Sequence, residues 1–510
     1  MKSNQSKARI VLTMNTIAFT ICFAVWMMNG VLITYLVDNG IYVWDKVQIG
    51  WLIGVPVLTG AIMRLPVGIL TDKYGGRIVY TVLMIVASVA TYLMSAADTF
   101  NEFIIAGLGF GISGSSFAVG IAYTSVWFPK EKQGTALGIF GAGNAGAAIT
   151  SMGAPVLLIY LTNNGADLDA WRMMPKIYAL VLLVMAVVFY FTTYSKVVKG
   201  SSAKTLSQRL APLKEIRVWR FGIYYFLVFG GFVALAQWLI PYYVNVYTMS
   251  VATAGMMAAI FSLPSGIIRA VGGWMSDKFG ARLVMYIVLG AIIFSTAFVI
   301  IPRMEIQSPG EGIMTKKSGV VTEITESTIT VDDKVYTFRN KSKADLIDVE
   351  PNILVFPKNS FWQVPVVEVG ENVAKKQLLA RGITHIFFQA NVWIFTFFVF
   401  IIGIMMGIGK AAVYKFIPEY FPEDVGVVGG IVGVVGGLGG FVCPVIFGYL
   451  LKSTGLWTTT WMFFFVLSII CLIWLHLVAR KMIKTRAPEL LSDLEEKLDA
   501  GSFNTLTTEN

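Results

Sequence analysis

Apolar residues run through this chain in long blocks, separated by short polar or glycine-containing connections. Blocks at 11–37, 47–70, 78–96, 102–127, 135–161, 175–194, 221–247, 252–275, 283–302, 386–414, 425–451 and 458–479 each approach or exceed the ~18–20 residues an α-helix needs to cross a hydrocarbon core. The pattern predicts twelve membrane-spanning helices. The first block is too long and too sparsely flanked for a cleaved signal peptide and reads as the first span. One long stretch departs from the pattern. Residues 303–385 are polar and charged, with short β-branched runs such as GVVTEI, STITV and VYTFRN. These runs read as strands, and Asp332-Asp333-Lys334 reads as a turn between two of them. A later piece, 364–382, resembles the turn-rich strands of barrel-sandwich domains of the biotinyl/lipoyl type. Its pieces come in a different order, so no attached cofactor is expected.

Composition agrees with a membrane protein. Of 510 residues, 56% are hydrophobic and 14% charged, and the mean hydropathy is +0.70. Soluble domains carry roughly 25% charged residues. The net charge of +10 suggests a nucleic-acid partner until its distribution is considered. With the N-terminus inside, the inner loops and tails hold 22 Lys and Arg, concentrated at 195–220 and 480–497. The short outer loops hold Lys46, Arg172, Lys176 and Lys452. This asymmetry follows the positive-inside rule and predicts a multi-pass protein of the inner (plasma) membrane with both termini cytoplasmic. The basicity then reflects topology, and no nucleic acid is expected as a partner. Cys22, Cys443 and Cys471 all fall within predicted spans, so no disulfide framework is expected. With two histidines, His385 and His476, no metal cluster is expected either.

The chain also repeats itself. GILTDKYGGR at 68–77 is answered by GWMSDKFGAR at 273–282, and WFPKEKQG at 127–134 by YFPEDVG at 420–426. GIFGAGNAG at 138–146 is answered by GVVGGLGG at 433–440. The displacement grows from about 205 to about 293 residues, which matches the size of the 303–385 segment. The expected architecture is therefore an all-α membrane protein of two six-helix pseudo-symmetric bundles with a small β-rich extracytoplasmic insertion. The expected parts are a first bundle at 1–194, a cytoplasmic linker at 195–220, and a second bundle at 221–302 and 386–480. The insertion at 303–385 interrupts the second bundle, and a cytoplasmic tail follows at 481–510.

Charges inside the spans carry the functional signal. Arg64, Arg269 and Lys410 lie within apolar blocks, and every carboxylate lies in a loop, a tail or a span end. Arg64 precedes Asp72 by eight residues, as Arg269 precedes Asp277. At 1.5 Å per residue both guanidiniums start about 12 Å in from the inner surface. A buried cation costs about 2.5–3.5 kcal/mol on the insertion scale, and no internal carboxylate is available to offset it. A small oxyanion substrate would, because paired guanidinium forks suit planar oxyanions. Glycine-rich stretches through Gly141 and Gly436 allow close helix approach and expose peptide N–H and C=O dipoles to a small bound anion, so both glycines are expected at the substrate site, and Asn144 adds a neutral donor among them.

The DKYGGR and DKFGAR loops resemble the inner-loop motif of the major facilitator superfamily. That resemblance implies gating roles for Asp72, Arg77, Asp277 and Arg282, with the aspartates capping a neighbouring helix and pairing with Arg or Lys. Arg64 in MRLPVG, Arg269 in IIRAVGG, the stretch ending at Gly146 and GGLGGFVCP at 436–444 together resemble the nitrate/nitrite porter family of that superfamily. The resemblance covers the chain outside 303–385. It implies that the two arginines clamp the anion, with Asn144, Tyr225 and the aromatic pair Phe117 and Phe229 around it. Lys410 in GIGKAAVYKFIP resembles the subgroup assigned proton-coupled uptake, so it is expected to carry the coupling proton. Lys415 is read as ordinary positive-inside charge.

The expectation is a transporter of nitrate, with nitrite, by alternating access and proton symport. It needs no cofactor and is not an enzyme. Nitrate/nitrite antiport is one rival, and exchange of formate or oxalate another. A non-transporting anion receptor with the insertion as its output is the rival from a different class.

Overall fold

The computed structural model describes residues 2–196, 211–300, 304–341, 358–388, 391–421 and 425–486. Most of the expected linker at 195–220, most of the tail at 481–510 and residues 342–357 of the insertion lie outside these residues. The apolar blocks become helices long enough to cross a bilayer. They are α1 (Gln5–Asp38), α2 (Lys46–Tyr74), α3 (Gly76–Met94), α4 (Phe100–Trp127), α5 (Ala136–Leu161), α6 (Leu168–Thr192) and α7 (Ile216–Tyr247). The eighth, α8, is a pair, Val251–Ile267 and Arg269–Phe279, bent by 44°. Beyond it come α9 (Ala281–Val299), α10 (Val392–Tyr420), α11 (Val427–Thr454) and α12 (Thr459–Met482). Counting the bent pair as one span gives twelve. The expected tenth span began at residue 386, but strand pairing holds the chain through Phe388 and the helix begins at Val392.

Several spans are interrupted near their middles. The two halves of α2 meet at Met63 and those of α8 at Ile268, with nearly the same backbone angles at both breaks. Glycine-rich sequence tightens α4 into a 3-10 turn over Gly111–Ser115 and α5 over Ala142–Ala145, and α7 widens into a π-turn over Phe226–Gly230. Such departures from α geometry are tolerated within a bilayer only where surrounding protein satisfies the backbone, and they gather at functional sites.

The repeat is visible in the backbone. Gly75 and Gly280, which follow DKY and DKF, both adopt φ of +84°, a region that L side chains avoid. The two loops therefore turn the chain in the same way after α2 and after α8.

The halves meet backbone to backbone. α2 packs along α11 and α5 along α8. A Cβ on Gly50 would lie 2.4 Å from the Pro444 carbonyl oxygen, and one on Gly255 would lie 2.0 Å from that of Ser151. Near the ends of these helices Asp45 caps α2 through the Gln48 N–H and accepts a 2.8 Å bond from Lys452 Nζ at the end of α11. The Lys452 contact and the Gln48 N–H hold the Asp45 carboxyl below its ordinary value. Asn245 at the end of α7 accepts from Lys46 Nζ at 3.3 Å.

Residues Phe298–Phe397 form a compact unit of their own. It contains β1 (Met304–Met314), β2 (Gly319–Ile324), β3 (Thr328–Val331), β4 (Lys334–Thr337), β5 (Lys358–Pro365), β6 (Asn372–Val373) and β7 (Leu378–Phe388). They make one sheet ordered β1-β7-β5 and another ordered β4-β3-β2-β6. Val331 pairs with Lys334, so Asp332 and Asp333 form a two-residue hairpin loop, with Asp332 at φ +48°. Alternate residues Ile329 and Val331 point inward with Val321, Tyr336, Phe338 and Leu379, forming a small core.

Candidate functional site: two arginines on an aromatic column

Arg64 and Arg269 stand on the first residues after the two matching breaks, so the repeat brings them into one neighbourhood from opposite halves. Each lies within electrostatic reach of the other. Phe117 in α4 lies between them, with the Arg64 guanidinium carbon 5.3 Å from its ring centroid and that of Arg269 at 5.2 Å. Phe117 stacks on Phe229 at 6.2 Å, and Phe229 on Tyr225 at 4.9 Å and 4°. Tyr414 completes the column edge-on to Tyr225 at 4.9 Å and lies 5.7 Å from Arg269. Trp26 flanks Arg64 at 5.8 Å.

The hydrogen bonding of these cations is incomplete. Arg64 is 3% exposed. Its Nη1 donates to the Gly433 carbonyl at 2.7 Å, while Nε and Nη2 are buried with no partner. Arg269 Nη1 is likewise buried without one. A charged hydrogen bond contributes about 1.5–3 kcal/mol, and a ring face about 0.5–2 kcal/mol. These contacts offset much of the cost of burying Arg64, yet each orphaned N–H still costs about 1–3 kcal/mol. Among the described residues the buried charged side chains are Arg64, Arg220 and Lys410, all cationic. The electrostatic field at this centre is positive, with its donors unspent.

Asn144 lies on the 3-10 turn of α5, fully buried, with both side-chain polar atoms lacking a partner. It packs against α8 where Gly266 leaves room, three residues before Arg269. Gly141 faces the Arg269 side chain, whose Cδ would lie 3.4 Å from an added Cβ. Gly436 acts through a different residue. A Cβ there would lie 2.1 Å from Tyr225 Cδ1, so the missing side chain is what lets Tyr225 lie flat against α11. Tyr225 immediately precedes the π-turn and Phe229 lies within it, so the turn sets their relative angular positions on α7.

Lys410 belongs to the same half but not to the arginine cluster. It is fully buried, its Nζ 3.3 Å from the Phe232 ring centroid and without a hydrogen-bond partner. Arg269 lies within its electrostatic reach. The four loop residues lie near the far ends of α2, α3, α8 and α9. Asp277 pairs with Lys415 at 2.5 Å, a partner that the reading of Lys415 as topological charge did not include. Arg282 donates to Tyr420 Oη at 3.1 Å, and Arg77 to the Tyr190 carbonyl at 2.8 Å. Asp72 is exposed on the last turn of α2.

The sequence reading missed Tyr414, Trp26 and the Gly433 carbonyl. Tyr414 carried a weak signal, because it follows Lys410 by four residues and so shares its helix face. Trp26 carried none, and Gly433 opened the GVVGGLGG stretch with nothing to single out its carbonyl. An aromatic residue or glycine in an apolar block looks the same whether it faces lipid or a guanidinium.

The chain matches the family model described as Major Facilitator Superfamily over residues 14–308 and 378–501. It is 36% identical over 494 residues to a Thermus thermophilus protein named probable nitrate/nitrite antiporter NarK1, covering 96% of each chain. It is 25% identical to the nitrite extrusion protein of Bacillus subtilis (strain 168), covering 88% of this chain and 89% of that one. It is also 25% identical to the probable nitrate transporter NarT of Staphylococcus carnosus (strain TM300), covering 94% and 98%. Among solved structures, a bacterial homolog of the human lysosomal transporter Spinster, in an inward-facing and occupied conformation, superposes with a TM-score of 0.59. That match has 14% identity over 93% of this chain and 97% of that one. The nucleoside transporter NupG gives 0.57 at 12% identity over 91% and 98%. At such identities the structures establish the shared fold alone.

Proposed function

The chain belongs to the nitrate/nitrite porter family of the major facilitator superfamily, and from that premise we propose that it carries nitrate, and nitrite with it, across the membrane by alternating access. The observation that carries this reading is the pair of guanidiniums on symmetry-related helix breaks, sharing Phe117, with no buried carboxylate among the described residues. A planar anion with oxygens in one plane accepts from Arg64 Nε and Nη2 and from Arg269 while its faces meet aromatic rings. Neutral sugars leave those donors' charge uncompensated, and Asn144 supplies a further donor without adding charge. A planar ion between Phe117 and Phe229 needs about 7 Å, twice a carbon contact of ~3.5 Å. Their 6.2 Å centroid spacing requires them to part by roughly 1 Å.

The test is uptake of labelled nitrate by purified protein in proteoliposomes. Saturable uptake, inhibited by nitrite more strongly than by formate or oxalate, is the expected result. Preferential inhibition by oxalate would replace nitrate as the substrate. Absence of turnover with intact anion binding would favour a receptor.

Coupling is a second part of the proposal. Lys410 is buried among apolar groups next to the clamp, and no described carboxylate is buried. It is therefore the residue we assign to carry a proton with the anion. Arg269 repels a charged Lys410, and a bound anion relieves that repulsion, so anion and proton binding support each other. Lys410→Gln should keep nitrate binding and nitrate-for-nitrate exchange but lose accumulation driven by an inward proton gradient. If the variant still concentrates nitrate when the outside is acidified, Lys410 is structural. Nitrate/nitrite antiport, the activity in the name of the Thermus thermophilus relative, then becomes the better reading.

A further inference from the structure

A second arginine cluster lies far from the clamp, at the end of the bundle opposite the Asp45–Lys452 pair. There α7, α9, α10 and α12 border a narrow surface cleft lined by Arg220, Tyr224, Arg282, Tyr420 and Met482. Arg220, on the first turns of α7, is 8% exposed and packs its guanidinium 5.2 Å from the Phe221 ring centroid. Arg282 donates to Tyr420 Oη and to Met482 Sδ. Arg217 stands at the rim, 5.8 Å from the Tyr420 ring centroid, and both Arg217 and Arg282 lie within electrostatic reach of Arg220. Among the described residues no carboxylate pairs with Arg220 or Arg282. The Tyr224 hydroxyl, a fourth polar group in this wall, is fully buried and has no partner.

Two features identify the ligand class. Clustered guanidiniums with an unspent hydroxyl donor suit a phosphate, whose oxygens accept bidentate bonds. The rest of the lining is largely apolar, with Leu475, Val478 and Met482 contributed by α12. Their neighbours Ile473 and Leu477 are more than half exposed on the outside of the bundle. A freely soluble phosphate has no use for that lining, whereas an acylated one does. The cleft sits where α12 ends and α7 begins, on the end bearing the basic connections. The positive-inside rule assigns that end to the cytoplasmic leaflet, where anionic lipids collect in basic pockets between helices. We propose that Arg220 and Arg282 bind the phosphate of an anionic phospholipid, with Tyr224 donating its hydroxyl to the same headgroup. This site is independent of the nitrate reading.

The experiment uses the purified full chain in mild detergent, with bound lipid counted by native mass spectrometry and thermal unfolding followed in parallel. The probes are dioleoylphosphatidylglycerol, dioleoylphosphatidylcholine and inorganic phosphate. Phosphatidylglycerol should bind at low stoichiometry and raise the unfolding temperature. Phosphatidylcholine should do so much more weakly, and inorganic phosphate not at all. Arg220→Gln should weaken phosphatidylglycerol binding roughly tenfold or more, from loss of a charged hydrogen bond, and Tyr224→Phe should weaken it less. If Arg220→Gln does not fold, Arg220→Lys and Tyr224→Phe carry the test, each expected to bind more weakly than wild type. Wild-type binding in all folded variants would overturn the site. Equal stabilisation by inorganic phosphate would show that a free anion, not a lipid, is the ligand.

Discussion

Arg64→Lys and Arg269→Lys should each lower the efficiency of nitrate uptake by about 100-fold while leaving the protein folded in the membrane. The estimate follows from losing one or two charged hydrogen bonds at ~1.5–3 kcal/mol each. At position 64 the geometry sharpens the expectation. Arg64 spends Nη1 on the Gly433 carbonyl and keeps Nε and Nη2 in reserve. A lysine has one ammonium, and the Gly433 carbonyl competes for it, so charge is retained while the fork is lost. The position also rests on three ring faces, of Trp26, Phe117 and Phe229, which a guanidinium covers by stacking and an ammonium does not. Uptake by reconstituted, monodisperse variants is the measurement. Near-wild-type uptake by either variant would remove that arginine from the clamp.

Gly255→Ala should abolish at least nine-tenths of transport without preventing anion binding, and Gly50→Ala should do the same to a lesser degree. Both glycines lie where helices of opposite halves touch through backbone. The added methyl at 255 would meet the Ser151 carbonyl oxygen at 2.0 Å, and that at 50 would meet the Pro444 carbonyl oxygen at 2.4 Å. A carbonyl in a helix cannot swing aside as a side chain can, so the helices must separate, and forced overpacking of this kind costs about 1–3 kcal/mol. Because the contact joins the two halves, that cost falls on the conformation in which this end is closed. The equilibrium then shifts toward the open form by about one to two powers of ten. The readout is accessibility of Gln237→Cys, a buried position against Gly30 at the α1–α7 contact. Labelling by a membrane-impermeant thiol reagent should be faster in the Gly255→Ala background. Unchanged labelling together with full uptake would mean that the contact plays no part in the transport cycle.

Much of this protein was legible in the order of its residues, for physical reasons that differ from element to element. The membrane spans follow from the cost of exposing polar groups to hydrocarbon, a term that depends on composition over about 20 residues and needs no knowledge of neighbours. The two arginines followed from the same term with opposite sign, because a cation in an apolar block requires an explanation that a leucine does not. The repeat of DKYGGR and DKFGAR located equivalent turns, and their shared φ of +84° at Gly75 and Gly280 is the backbone counterpart of that repeat. The Asp332-Asp333 hairpin was visible because a two-residue loop between strands restricts which residues can stand in it.

What the sequence could not contain was the set of partners that tertiary structure selects. Arg64 finds the Gly433 carbonyl 369 positions away, and Asp277 finds Lys415. Neither pairing is encoded by spacing, since each depends on how two helices rotate against one another. Gly436 reads from sequence as a small residue near the anion, whereas in the fold it makes room for Tyr225. The tenth span begins later than its hydropathy suggests because β7 pairs through Phe388, and strand pairing is a long-range choice that an apolar run does not reveal. Hydropathy and charge, which act residue by residue, determined that the chain spans a membrane and buries cations without carboxylates. Packing, which acts between residues distant in sequence, decided that Arg64 and Arg269 share one aromatic column and that a second arginine pair lines a cleft at the bundle's end.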